Sequence, residues 1–233
     1  MWFDPLYFLF VAPALLLAAW ASWKVHQAYA EAREVGASSG YSGAETAEAI
    51  ISRNGLAPVR VEVTEGFLSD HYDPAAKVLR LSPDVYAGRS LAALGIAAHE
   101  AGHALQDADG YPLLKVRNGI VPLAAWGGNL SWVLIALGLA LASMDLILVG
   151  IAAFSLTVLF QLVNQPLDFD ASRRARRALR SLGLIAPREE PVVRKVLSAA
   201  AMTYVAATLT SVLTLAYYLF RAGVFGPHER EEV

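Results

Sequence analysis

The sequence predicts a mainly α membrane protein, with about four transmembrane helices and a polar α+β part assembled from two separate blocks. Three observations carry that reading. The chain is 56% hydrophobic over 233 residues, above the roughly 45–50% of ordinary soluble domains. Four apolar runs approach or exceed about 20 residues, the helical length that crosses about 30 Å of hydrocarbon. Nearly all the basic residues fall in only two of the segments between those runs.

The first run is Pro5–Trp23, with Trp2 and Trp23 placed as interfacial anchors. No basic residue precedes it, only Asp4, so it reads as a retained anchor rather than a cleaved signal peptide. The second run is Ile120–Ser143 and the third Leu146–Val163, separated by Met144-Asp145 as a tight helical hairpin. The fourth is Ala199–Phe220. The expected organisation is therefore a span over 1–23, a polar block over 24–117, a hairpin over 118–165, a second polar block over 166–198, a span over 199–221 and a polar tail over 222–233.

Charge sets the expected orientation. Nine Lys/Arg lie in residues 24–117 and eight in 166–200, leaving Arg221 and Arg230 elsewhere. Four crossings put both blocks on one side, and the positive-inside rule makes that side cytoplasmic, with both termini outside. The expected location is the cell membrane. The run "RRARRALR" at 173–180 reads first as this topological signal. Its alternative use is to bind anionic headgroups or a substrate carboxylate.

Composition also excludes. A net charge of −2 offers no basic footprint for nucleic acid. Without cysteine there is no disulfide framework, thiolate metal site or cysteine nucleophile, so His, Asp and Glu are the available metal ligands.

Within the first block, "YSGAETAEAIISRNGL" reads as a helix capped by Ser42, with Glu45 in capping-box position, and ended by Asn54-Gly55. Residues 59–63 and 77–82 alternate as strands, with Asp73-Pro74 marking a turn between them. "RSLAALGIAAHEAGHALQ" is helical and carries the chemistry. His99 and His103, four apart, face the same way and can share one cation. Glu100 lies beside His99, within reach of a water on that cation. This is the H-E-x-x-H arrangement, in which the glutamate takes a proton from a metal-activated water that attacks a peptide carbonyl. Ala101 and Gly102 leave room beside the metal on this reading. His26 and His228 lie outside any such pattern.

A catalytic zinc wants a third protein ligand and an open position. Asp109 falls six residues after His103, but Gln106 stands where that spacing pattern needs glycine. Asp73 is a further acid. Asp168 and Asp170 follow Pro166, which is expected to break or start a helix, so both could instead be N-terminal caps or dipole partners.

Taken together, "YSGAE", "LSDHYDP", "LRLS", "HEAGHALQ" and "DFDASRRA" resemble the YugP-like family of membrane neutral zinc metallopeptidases, distantly similar to HtpX-type membrane proteases. The resemblance covers nearly the whole chain. It implies a zincin-like domain on the cytoplasmic side, Zn2+ held by His99, His103 and a carboxylate where Asp168 stands, and Glu100 as the base. The family usually writes Glu at that carboxylate, so the shorter Asp168 requires its helix to sit closer to the metal. Related proteases orient a histidine ligand with an acid where this chain has Ser172, leaving Asp170 as the nearer acid. The resemblance also raises His71, beside Tyr72, as the oxyanion donor. Arg173 or Arg174 would hold the site's acids. An edge strand near Val78, Leu79 and Arg80 would take an extended peptide by strand addition. The expected substrate is a membrane or unfolded protein, and the expected surroundings are the lipid bilayer. A metal-binding but proteolytically silent scaffold is the alternative. A transporter finds little support, because the spans carry no cluster of charge.

Overall fold

The computed structural model describes residues 5–56, 58–66 and 69–223. It is mainly helical with one small sheet, in the order α1 (Pro5–Arg33), α2 (Gly43–Arg53), β1 (Arg60–Val63), β2 (His71–Asp73), β3 (Val78–Leu81), α3 (Pro83–Ala87), α4 (Leu91–Ala108), α5 (Pro112–Ala140), α6 (Met144–Ser181) and α7 (Glu190–Arg221). Helices α1, α5, α6 and α7 are long and apolar enough to cross a membrane. Trp2, Asp4, His228 and the acidic tail lie outside the described residues.

The chain divides into two compact units, one of residues 1–19, 116–163 and 204–233, the other of 20–115 and 164–203. The first unit is built for lipid. Leu9, Leu16 and Trp126 are 71%, 72% and 80% exposed, a loss in water that hydrocarbon removes. Small residues let helices meet there: a Cβ on Gly150 would stand 3.0 Å from Ile135 N and 3.1 Å from Ser131 O. Hydroxyls bond within their own helices, Ser131 to Gly128 O, Ser155 to Ile151 O and Thr208 to Tyr204 O. That satisfies them without a partner helix. Asn129 is exposed.

Two features of the spans correct the sequence reading. The hairpin turn lies at 141–143, where Ala142 takes φ +51°, and Met144-Asp145 already begin α6. Pro166 does not interrupt α6, which runs unbroken for 38 residues. Proline removes one N–H from the ladder at about 3 kcal/mol or more in a soluble helix interior. Here the buried Leu167, Ala171, Ala175 and Leu179 anchor the turns that follow it. Asp168 and Asp170 are consequently interior to a helix, and their reading as N-terminal caps falls away.

The second unit surrounds α4. Its core joins Ile50, Leu79, Leu81, Leu91, Leu94, Ala97, Ala101, Leu179 and Val193. The α2 capping box forms as its sequence requires: Ser42 Oγ accepts from Glu45 N–H, and Glu45 accepts from Ser42 N–H at 2.6 Å. The sheet has three strands in the order β1-β3-β2, with β1 parallel and β2 antiparallel to β3. Residues Val78, Leu79 and Arg80 thus belong to the middle strand, not an edge, and their backbone is already paired. The open edges are β1 and β2. Asp73 makes the expected turn, accepting from Ala75 and Ala76 N–H, and that turn joins β2 to β3.

A buried carboxylate ties the start of α7 to the segment after α1. Glu189 accepts from Ser38 N–H and Oγ–H, both at 2.9 Å, and from Ala186 N–H at 2.7 Å. Burial pushes its pKa up, but these donors and Arg188 prevail and hold it below the ordinary value. Its stabilisation is therefore complete above the ordinary glutamate pKa and is lost as pH falls through the lower folded-state value. Glu189→Ala is expected to cost about 1–3 kcal/mol at neutral pH, through orphaned N–H groups. Thermal unfolding of both proteins across pH 7 to 3 checks this. A gap that stays constant as pH falls would mean the charge plays no part.

Candidate metal centre

Helix α4 presents His99 and His103 on one face because they stand four residues apart. Their rings pack edge to face with centroids 4.9 Å apart. From α6, Asp168 joins them, and one ligand atom from each of the three lies within 4.8 Å of the others. His103 Nε2 is 3.4 Å from Asp168 Oδ1. A tetrahedral zinc with bonds of about 2.1 Å separates its ligand atoms by roughly 3.4 Å, so little closure is needed.

Each of the three side chains is held by a neighbour. Ser172 Oγ lies 3.1 Å from His99 Nδ1. Asn164, one turn before Asp168, donates Nδ2–H to Asp168 Oδ2 at 2.8 Å, leaving Oδ1 toward His103. Gln106 is fully buried, and its Nε2 donates to Leu167 O at 2.8 Å and to Asp170 Oδ2 at 3.0 Å. Both partners are acceptors, which fixes the amide and turns Gln106 Oε1 to His103 Nδ1, 2.9 Å away. On this geometry Nδ1–H donates to Gln106, and Nε2 faces Asp168.

Electrostatics agree with this arrangement. Burial and the neighbouring His103 push His99 down to about 3, so its imidazole is uncharged at neutral pH. Burial also opposes charge on His103, but Asp168, Glu100 and Gln106 outweigh it and raise its pKa. The space between His103 and Asp168 thus favours a cation. Glu100 is buried, and burial raises its pKa, while the Tyr72 backbone N–H supports the charged form.

The remaining sequence candidates are placed elsewhere. His71 is exposed on the face of β2 opposite Tyr72, with Nδ1 2.7 Å from Ser69 O and Nε2 3.4 Å from Arg80. This corrects its reading as an oxyanion donor, because strand alternation turns it from the α4 side. Tyr72 gives its hydroxyl to Asp107 at 2.7 Å. Asp109 is an exposed C-cap paired with Arg174. Asp73 is committed to its turn and Arg80. Asp170 accepts from Gln106, Arg173 and Arg174. Arg176, Arg177 and Arg180 join Arg173 along an open cavity of about 670 Å³.

Gln106 was legible only as a departure from glycine, although its position three after His103 puts an amide on the ligand face. Asn164, four before Asp168, carries the same kind of signal. Gly102 does not make room for a metal. A Cβ there would stand 2.5 Å from Ala171 O, so its hydrogen lets α4 and α6 approach. That approach is what a short carboxylate needs to reach two histidines on α4. Gly102→Ala is expected to push the helices apart, lowering stability by about 1–3 kcal/mol and weakening metal binding. Thermal unfolding with and without zinc reads both effects, and unchanged binding would break the link drawn here.

A family model described as "Putative neutral zinc metallopeptidase" matches residues 7–223. The chain belongs to that family. It is also 46% identical over 209 residues to "Putative membrane protease YugP" of Bacillus subtilis (strain 168), covering 89% of this chain and 93% of that one. No solved structure matches the chain. By these names the family is one of zinc peptidases and the relative a membrane protease, consistent with the four apolar helices. The donor set fits zinc on chemical grounds: two imidazoles and one carboxylate, with outer partners that orient each.

Proposed function

We propose that this protein is a membrane-bound zinc endopeptidase in which His99, His103 and Asp168 hold the metal and Glu100 is the catalytic base. The observation that carries this is the convergence of the three ligand atoms beside a buried glutamate. When bound, zinc supplies Lewis acidity, lowering the pKa of a water and polarising the scissile carbonyl. Glu100 would take a proton from the attacking water as the water oxygen bonds to the carbonyl carbon. The same carboxyl then gives the proton to the amide nitrogen as the C–N bond breaks, which returns Glu100 to its starting state. Ser172, Gln106 and Asn164 keep the ligands in register.

The polar blocks 24–117 and 166–198 form the cytoplasmic catalytic part on this reading, with both termini outside the cell membrane. The support is the concentration of basic residues in those blocks. Substrates are membrane or unfolded proteins, held extended along the open edge of β2, whose Tyr72 N–H already reaches Glu100. The test is to purify the full chain in detergent and follow cleavage of casein with bound metal. About one zinc per chain is expected, with cleavage lost on chelation and restored by zinc. Cleavage that survives complete metal removal would overturn the proposal.

A further inference from the structure

We propose that Gln106 is the positioning residue for His103, setting its tautomer and ring orientation, and that Asp170 holds Gln106 in the one amide orientation that does so. This rests on the reading of His103 as a metal ligand. A histidine ligand is ordinarily oriented by a group that accepts its second ring N–H, most directly a carboxylate or carbonyl. Here the acceptor is a neutral amide oxygen, and the acid stands one bond further away. The amide has two ends. If it turned over, Nε2 would face His103 Nδ1, forcing that nitrogen to accept and moving the ring proton to Nε2, where it would block a cation. Two acceptors prevent that, Leu167 O and Asp170 Oδ2. Asp170 is in turn anchored by Arg173 and Arg174, and Arg174 also grips Asp109 at the end of α4. The chain of contacts thus runs from the ion pairs of α6 and the α4 C-cap to one imidazole proton. Gln106 is fully buried and Asp170 nearly so, which makes the bond between them hard for water to replace.

The arrangement has a reciprocal variant. Gln106→Glu alone keeps an acceptor for His103 but sets a second carboxylate against Asp170. Gln106→Glu combined with Asp170→Asn exchanges the acid and the amide and restores an acceptor–donor pair. Gln106→Met keeps the volume and removes both functions.

The experiment uses the full chain in detergent with zinc and cobalt as probes, plus 15N-histidine NMR of the metal-free protein above the His103 pKa. Relative to wild type, Gln106→Met and Gln106→Glu are expected to bind zinc about 10–100-fold more weakly and to alter the visible spectrum bound cobalt gives. The double variant is expected to recover most of the zinc affinity. The His103 Nδ1–H tautomer of the wild type is expected to give way to a mixture in Gln106→Met. Ser38→Ala, which weakens a distant buried carboxylate's contacts, serves as the stability control and should move none of these signals. Wild-type zinc affinity, cobalt spectrum and tautomer in Gln106→Met would overturn the assignment, as would failure of the double variant to rescue. If His103→Ala still holds zinc, the metal-site reading fails instead, and the tautomer measurement alone then decides what Gln106 does.

Discussion

Glu100→Gln is expected to keep about one zinc per chain and to lose cleavage by about 100- to 10,000-fold, the usual contribution of a positioned general base. The substitution is nearly isosteric, and glutamine's oxygen can still accept from the Tyr72 N–H that supports Glu100. None of the three proposed ligands depends on Glu100 for a hydrogen bond, since their partners are Ser172, Gln106 and Asn164. Metal content and base function therefore separate cleanly in this one variant. The pH profile adds a second reading. Activity should fall along an acid limb as Glu100 takes up a proton, because a protonated carboxyl cannot act as the base. That limb should be missing from any residual activity of Glu100→Gln. Cleavage within tenfold of wild type, with the acid limb intact, would remove Glu100 from the chemistry.

How far the sequence specifies this site depends on the range over which each signal acts. The i, i+4 histidines and the Ser42–Glu45 capping box are contained within one or two helical turns, and both form as their spacing dictates. The apolar runs were long enough to read as spans, but their helices extend past them: α1 continues ten residues beyond Trp23, and α5 starts at Pro112. Local signals misled where a tertiary contact outweighed them. Pro166 is a breaker by propensity, yet the buried stripe Leu167–Leu179 carries α6 through it. Strand β2 is three residues long and sits between Asp70 and Asp73-Pro74, all turn-formers, so its pairing was invisible until β3 stood beside it. The same alternation that buries Tyr72 expels His71. No periodicity could reveal that Asp170 would be claimed by Gln106, since those residues are separated by 64 positions.

The choice between Asp168 and Asp170 yields the sharpest ligand experiment, because two acids two residues apart on one helix are given opposite roles. Asp168→Ala removes a group whose Oδ1 faces His103 Nε2 and leaves only two histidines to hold the metal. Zinc binding should fall by well over the about 10–100-fold typical of losing an outer partner, and cleavage should vanish with it. Asp170→Ala should instead behave as an outer loss. Zinc would bind more weakly within that range, because Gln106 loses one of the two acceptors that fix its amide while Leu167 O remains. It should also lower stability by more than Asp168→Ala, since Arg173 and Arg174 lose their shared buried partner. Asp168→Glu offers a third arm. The side chain is longer by one methylene, but Gly102 and the Ala171 carbonyl already bring α4 and α6 to close contact. The extra methylene must therefore fold back or displace Asn164 from Oδ2, so partial rather than full zinc affinity is expected. Competition with a chromophoric chelator measures all three. If Asp170→Ala strips the metal and Asp168→Ala keeps it, the roles are reversed, and the ion pairs of Asp170 must open when zinc enters.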